Sequence, residues 1–480
     1  MSIALEQTLE RPSIVALPLA RDLKLDVGLA TVVVFFGFHA VLAVAMSNVR
    51  AISTVHALLV LLVGLCVAVS NCPLEKVAYV GAYIAGSEVL WRMTGAQVFW
   101  EFGKYATILI FMLAIVRRGK TNGPALMLVY FVLLLPSTAL TFVEEDFLTA
   151  KDMVSFNMSG PIALLVSAWL FSQLKLSTTQ LKKLILIPVG PIVGIAAITV
   201  FNLSTNVDLR FGGSSNFDLT GGFGPNQVAA VMGLGALIAF LFCLDEAVNL
   251  KLRMVLLVVM LILIVQSALT FSRGGVYMAA ISAAGAGIYL LRDKRSGAKL
   301  IIIAGVVFTL SLFLIIPNLD SLTGGAFLTR FQNTETSGRF EIAAMELMLW
   351  FENPLLGVGP GRGINVIGFA SHTEFSRLLG EHGMFGLISL FILLLAVGGE
   401  FKRRRPPSAK IILTAMLVWS FLFLGINAMR LVAPLFALCL LFATVRPNYQ
   451  LWKIRLNNAP SIPDIKISRR RRIRRPRLNK

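Results

Sequence analysis

Long apolar runs alternate with short polar breaks along almost the whole chain. The runs lie near 27–46, 52–70, 77–95, 103–116, 123–142, 158–174, 184–202, 225–244, 253–270, 275–291, 300–317, 384–399, 411–426 and 430–445. Most approach the ~17–25 residues that cross the hydrocarbon layer of a bilayer as helix. The pattern predicts an all-α polytopic membrane protein with about fourteen transmembrane helices, twelve at the fewest. Alternate breaks are basic, among them "VRRGKT", "KLSTTQLKK", "LRDKRSGAK" and "FKRRRPPSAK", while the intervening ones are acidic ("VEEDFLTAKDM") or hold at most one arginine. Positive charge marks the cytoplasmic side, so both termini are expected there. Two segments of the opposite face, 203–224 and 318–383, exceed what a connection needs, and long loops in compact proteins tend to be functional. The second is expected to be a large extracytoplasmic helical loop. In it "RFEIAAMELMLWF" (339–351) has a broad apolar helical face with Glu341 and Glu346 elsewhere, as in a helix lying flat at the membrane surface.

Composition agrees with this reading and excludes an ordinary soluble domain. Hydrophobic residues make up 56% of the chain and charged ones 14%, where soluble domains run near a quarter charged. The net charge of +19 is unevenly placed, with +11 of it between Arg446 and Lys480. A basic tail directly after the last apolar run acts as an orientation signal and attracts anionic lipid, so no nucleic-acid partner is expected. The four cysteines, Cys66, Cys72, Cys243 and Cys439, lie in apolar runs or at their inner ends, which indicates no disulfide framework. The first apolar run is long enough to stay as an anchor rather than serve as a cleaved signal.

Ionisable residues on the outer face are few. Arg210 sits in "DLRFGGSSN", Arg273 in "TFSRGG" between two spans, and Arg339 opens the surface helix. Farther on, "NPLLGVGPGRG" (353–363) leads to His372. Glycines beside an arginine let backbone approach a bulky anion, and a guanidinium grips phosphate at two points. Glu88 and Arg92, four apart in one span, are expected to pair. "EED" (144–146) is either a solvated loop or a metal-binding group, and no metal site is assigned to it. In "SHTEFSRLLGEHGMFG" (371–386), Ser371 and Glu374 have capping-box spacing. That would put His372 in the first helical turn, where the dipole keeps imidazole neutral and able to accept a proton. Glu374, Arg377 and Glu381 share one helical face, and Phe375, Leu378, Leu379 and His382 another. Spacing alone leaves two readings open. His372 is either a helix-end residue beside a solvated charged stripe, or a base with Glu374, Arg377 and Glu381 in support.

Four stretches taken in order resemble the O-antigen ligase/polymerase family of bacterial envelope proteins: "RFGGSSNFDLTGGFGPNQVAA", "LTFSRGGVYMA", "TSGRFEIAAMELMLWFENPLLGVGPGRG" and "SHTEFSRLLGEHGMFG". The resemblance covers roughly residues 200–400. It implies a C-type membrane glycosyltransferase fold and an inverting, metal-independent, cofactor-free transfer. The donor would be a polyprenyl-diphosphate-linked glycan at the outer leaflet of the bacterial inner membrane. The acceptor would be a glycan or a lipid core, in the biosynthesis of O-antigen, capsule or exopolysaccharide. Carried over by motif, Arg210 and Arg273 bind the diphosphate, His372 activates the acceptor hydroxyl, and Arg339 is a further motif position. The chain departs from the pattern at His372-Thr373, where many members have His-Asn, which bears on acceptor type. Ligase and polymerase share this chemistry, and both remain open.

A rival of another class is a transporter or flippase of lipid-linked sugar or of an anion. It would place polar groups near mid-membrane and repeat one half of the chain in the other. The reading divides the chain into a cytoplasmic segment 1–26, a membrane bundle 27–202, a catalytic region 203–400, closing spans 401–445 and a basic tail 446–480.

Overall fold

The computed structural model describes residues 28–119, 122–206, 209–292, 294–333 and 338–447. Segment 1–26 and all but the first two residues of the basic tail lie outside the described residues.

Each expected span falls on helix. The first four are α1 (Leu29–Asn48), α2 (Arg50–Val69), α3 (Leu74–Met93) and α4 (Phe102–Arg117). The run 123–142 is broken after Leu134 near Pro136, giving α5 (Ala125–Leu133) and α6 (Thr138–Glu144). Next, α7 (Phe147–Ser172) begins well before the expected residue 158. Asp146 caps it by accepting from the Leu148 and Thr149 amides at 3.1 and 3.2 Å, which satisfies two orphan donors. The run 184–202 is carried by α8 (Thr178–Leu186) and α9 (Val189–Thr205), with Pro188 between them. Then follow α10 (Pro225–Leu244), α11 (Leu250–Leu269), α12 (Arg273–Leu290), α13 (Lys294–Leu310) and α14 (Ile316–Leu322). The long outer segment supplies α15 (Ala326–Gln332), α16 (Arg339–Glu352) and the short α17 (Gly363–Ile367). The chain closes with α18 (Glu374–Phe401), α19 (Pro407–Asn427) and α20 (Val432–Cys439).

Among the described residues, ten helical segments are long and apolar enough to cross a membrane, so the chain is a helical, polytopic, membrane-type protein. The remaining expected spans, α3, α4, α12 and α20, are shorter or less apolar. Large apolar side chains such as Val34, Phe38, Ile301, Phe308 and Phe313 are exposed. The segment Ser296–Leu322 buries none of its most apolar window against the rest of the protein. An apolar surface of that extent requires a non-aqueous neighbour.

Two expectations need correction. The last run, 430–445, is helical only over Val432–Phe442 and is buried on every side, as in a core helix. It then turns into β2 (Thr444–Arg446), which pairs in parallel with β1 (Lys175–Ser177), Leu176 facing Val445. The fold is therefore all-α apart from this clip. Helix α16 does form, with Phe340, Met348 and Phe351 exposed, but Glu346 is not on a polar outer face. Glu346 is buried with Ile342 and Leu349 on the side packed against α18.

The centre of the bundle is α10, which is almost wholly buried. It touches α12 backbone to backbone: a Cβ on Gly233 would lie 2.3 Å from the Gly275 carbonyl oxygen, and one on Gly275 only 2.2 Å from that of Ala229. Small residues at such a crossing let helices approach where the hydrophobic effect does not drive them together. The contact sets the start of α12, and hence the place of Arg273.

Candidate functional site

The two arginine-bearing segments that lie apart in sequence, 210–216 and 270–273, are joined in the structure. The Asn216 amide donates to the Thr270 carbonyl at 2.9 Å, and the Phe211 and Phe271 rings stack with centroids 5.2 Å apart. Arg330 of α15, buried, donates to the carbonyls of Phe271 (3.1 Å) and Gly213 (2.9 Å). Arg210 itself is exposed at the rim, its carbonyl accepting from Asn216 at 3.1 Å.

Arg273, Arg330 and Arg430 lie near enough to Arg339 for their charges to act on it. Burial lowers the Arg339 pKa from the usual arginine value, and the charges of Arg273, Arg330 and Arg430 lower it further. Arg430 lies in the turn between α19 and α20, and burial with Arg377 and Arg92 nearby lowers its pKa too. Among the described residues, neither Arg339 nor Arg430 reaches a carboxylate within ion-pair distance. Arg339 and Arg430 are partly buried, and like charges brought together where water is partly excluded repel one another, which favours an anion beside these two.

His372 sits against this group. Its pKa is held down to about 4 by burial and by Arg430 and Arg339. It is neutral as expected, but for another reason, because the predicted capping box does not form. Thr373 is the N-cap of α18, its hydroxyl accepting from the Phe375 amide at 3.2 Å, while the Ser371 hydroxyl donates to the Thr373 carbonyl. His372 is therefore outside the helix, and Glu374 is its first residue rather than the third. Nδ1 of His372 is buried with no hydrogen-bond partner among the described residues.

Glu374, Arg377 and Glu381 are not a solvated stripe. Arg377 donates to both oxygens of Glu374 (2.5 and 3.2 Å), to Glu381 (2.9 Å) and to Asn157 of α7 (3.2 Å). Glu374 also accepts from the Met429 amide at 3.0 Å, and Glu381 from the Gly361 amide at 3.0 Å. All three are buried, and together they tie α18 to α7, to the "GVGPGRG" loop and to the turn that carries Arg430. His382 is fully buried, with Nδ1 on the Ser137 hydroxyl, a position that holds α18 to the α5–α6 break.

The glycines of "GVGPGRG" serve close packing. A Cβ on Gly359, which has φ of 92°, would meet Thr141 at 2.6 Å, and the Gly359 amide donates to the Glu381 carbonyl at 2.9 Å. They let the loop lie against α6 and α18. Arg362 in that loop pairs with Glu145 at 3.1 Å and Glu144 at 3.5 Å, so two carboxylates of "EED" bind this arginine while Asp146 caps α7. Among the described residues no three His, Cys, Asp or Glu side chains come together as a metal group. The predicted Glu88–Arg92 pair forms at 2.7 Å, and Glu101 and Lys104 extend it into a buried cluster.

Beside the arginines is a cavity of about 390 Å³. Its lining includes Ser371, Arg430 and Glu346 together with residues of α7 and of the loop before α18. Arg430 donates to the Ser371 carbonyl at 2.5 Å, so it belongs to the cavity and to the arginine group at once.

Sequence reasoning missed Arg430, having taken it as the first residue of a span. The available signal was the one that singled out Arg273, an arginine in a short turn between apolar runs. Backbone geometry agrees. Among the described residues, the non-glycine positions with positive φ are Phe271 (59°) and Ala428 (52°), each two residues before one of these arginines. Such strain persists only where surrounding structure enforces it, and it concentrates at functional sites.

No family model and no curated protein matches the chain.

Proposed function

We propose that the chain is an inverting membrane glycosyltransferase of the O-antigen ligase/polymerase kind, without metal or cofactor. In this reading it crosses a bacterial inner membrane about fourteen times with both termini in the cytoplasm. It takes saccharide from a polyprenyl-diphosphate carrier at the outer face and passes it to a glycan or lipid-core acceptor. One observation carries the reading: Arg339 and Arg430, neither in an ion pair among the described residues, both act on His372, whose buried Nδ1 has no hydrogen-bond partner, and Arg273 acts on Arg339 in turn.

That arrangement suits the chemistry. An acceptor hydroxyl attacks the anomeric carbon, the bond from that carbon to the diphosphate oxygen breaks, and the electron pair leaves on the diphosphate. Arginines fixed in place before the reaction stabilise this charge with little reorganisation. The hydroxyl proton passes to His372. Arg210, at the rim, meets the incoming carrier, and the triad Glu374–Arg377–Glu381 positions the strand that holds His372.

The direct test incubates purified protein with carrier-linked glycan and acceptor in buffer containing chelator. Transfer is expected, and an absolute requirement for a divalent metal would reject the mechanism. Arg273→Lys is expected to lose most activity while folding normally, because an ammonium cannot make two planar contacts to a diphosphate. Wild-type turnover in that variant would remove the two-point role. Orientation is tested separately in a variant with the four native cysteines replaced. A cysteine at the exposed Ser214 should react with an impermeant thiol reagent in intact cells, and one at Ser408 should not. The reverse labelling would turn the site to the cytoplasm.

A further inference from the structure

The cavity beside the arginine group differs from it in character, and the difference indicates a second ligand. Its charged lining is balanced: Asp152, Glu346 and Glu381 against Lys104, Arg377 and Arg430. Carboxylates there repel a second phosphate, and six charged groups exclude a polyprenyl tail. Part of the wall is apolar, with Phe156, Met153 and Ile364; Phe156 is 43% exposed, and Lys104 Nζ lies 5.8 Å from its ring centroid. Several polar atoms keep bonding capacity. Asp152 is exposed, Glu346 uses Oε2 to accept from Ser376, and of the five N–H donors of Arg430 one is engaged by the Ser371 carbonyl.

A lining that holds acceptors, donors and an aromatic side chain together matches a sugar ring. Its hydroxyls both give and take hydrogen bonds, and its C–H face lies flat on an aromatic ring. The volume falls in the range of small-molecule sites, roughly 300–1,000 Å³.

We propose that this cavity is a binding site for an uncharged saccharide, the acceptor sugar, with its reacting hydroxyl directed towards His372 by Ser371 and Arg430. The proposal rests on the transferase reading for the word acceptor, but the saccharide site itself stands on the cavity. Asp152, Asn157 and Phe156 come from α7 and Arg430 from the last turn, so the site draws on parts of the chain outside the 203–400 region of family resemblance.

The test measures equilibrium binding to the full chain in lipid nanodiscs. One probe is the neutral oligosaccharide fraction released by mild acid from the host's surface polysaccharide, and the other is inorganic diphosphate. Wild type should bind the oligosaccharides, and Phe156→Ala and Asp152→Asn should each weaken that binding about tenfold or more. Both variants should bind diphosphate as wild type does, which also reports that they are folded, whereas Arg339→Ala should lose diphosphate and keep oligosaccharide. No oligosaccharide binding at millimolar concentration, or binding unchanged in both cavity variants, overturns the proposal. The two readings fail separately. Oligosaccharide binding that depends on Phe156, in a protein with no transfer activity, rejects the transferase and keeps the site. Transfer whose acceptor KM is unmoved by Phe156→Ala and Asp152→Asn keeps the transferase and rejects the site.

Discussion

His372→Ala is expected to slow saccharide transfer by roughly 10²–10⁴, the usual contribution of a positioned acid–base group. Diphosphate binding should change little, because the arginines perform it. His382→Ala is the control: that ring is fully buried on Ser137 and does not itself line the cavity, so its loss should act on stability. The pH dependence carries a second signature. The neutral ring is the active form, and burial together with Arg430 and Arg339 holds its pKa at about 4 in the donor-free protein. Activity therefore falls as pH drops through that value, not near 6.5. A bound diphosphate offsets the two arginine charges and should raise the ring's pKa, strengthening it as a base when the donor is present. The acid limb of kcat is thus expected at higher pH than that of kcat/KM, and both should vanish in the alanine variant. Near-normal transfer by folded His372→Ala would end the assignment. Glu374 and Glu381 are poor replacements, since Arg377 and backbone amides already hold them, and attention would move to Glu346 at the cavity wall.

Arg377→Ala should destabilise the protein by about 3–5 kcal/mol, the cost of removing one partner from a buried ion network. The guanidinium is 6% exposed, and its loss leaves the Glu374 and Glu381 carboxyls buried without a counter-ion. A thermal melt in detergent measures the effect, and an unchanged midpoint would contradict the network's structural weight. The triple replacement Glu374→Gln, Arg377→Met, Glu381→Gln separates charge from packing. It should recover a large part of the loss, because an apolar or neutral set of similar volume removes the unpaired charges together. Transfer activity need not return with stability, since methionine cannot donate to Asn157 of α7 as Arg377 does.

Much of the architecture was legible in one dimension because a bilayer imposes a one-dimensional constraint. Apolar length and the side on which lysine and arginine fall are read from local sequence alone. The Glu88–Arg92 pair was equally local, four residues apart on one helix. Failures came where a polar residue had to be placed relative to another element. Glu346 has the same i, i+3 spacing whether it faces water or α18, and only α18 made it buried. "SHTE" has capping-box spacing, yet the Arg430 contact to the Ser371 carbonyl and the Met429 amide on Glu374 draw the strand out so that Thr373 caps the helix instead.

The sequence by itself determined that this is a helical membrane-type protein, where its apolar segments lie, and that Arg273, Arg339 and His372 are candidates of the right chemistry. Each follows from composition within about twenty residues, the length over which a span or a motif is defined. The tertiary structure decided that Arg430, far along the chain, joins Arg273 and Arg339. It also decided that Arg330 clamps the segments of Arg210 and Arg273, and that α7 and the last turn close a cavity beside His372. Those relations depend on which helices touch. That is set by backbone approach at small residues such as Gly233 and Gly275 and by buried ion pairs between distant segments, neither of which leaves a periodic trace in sequence.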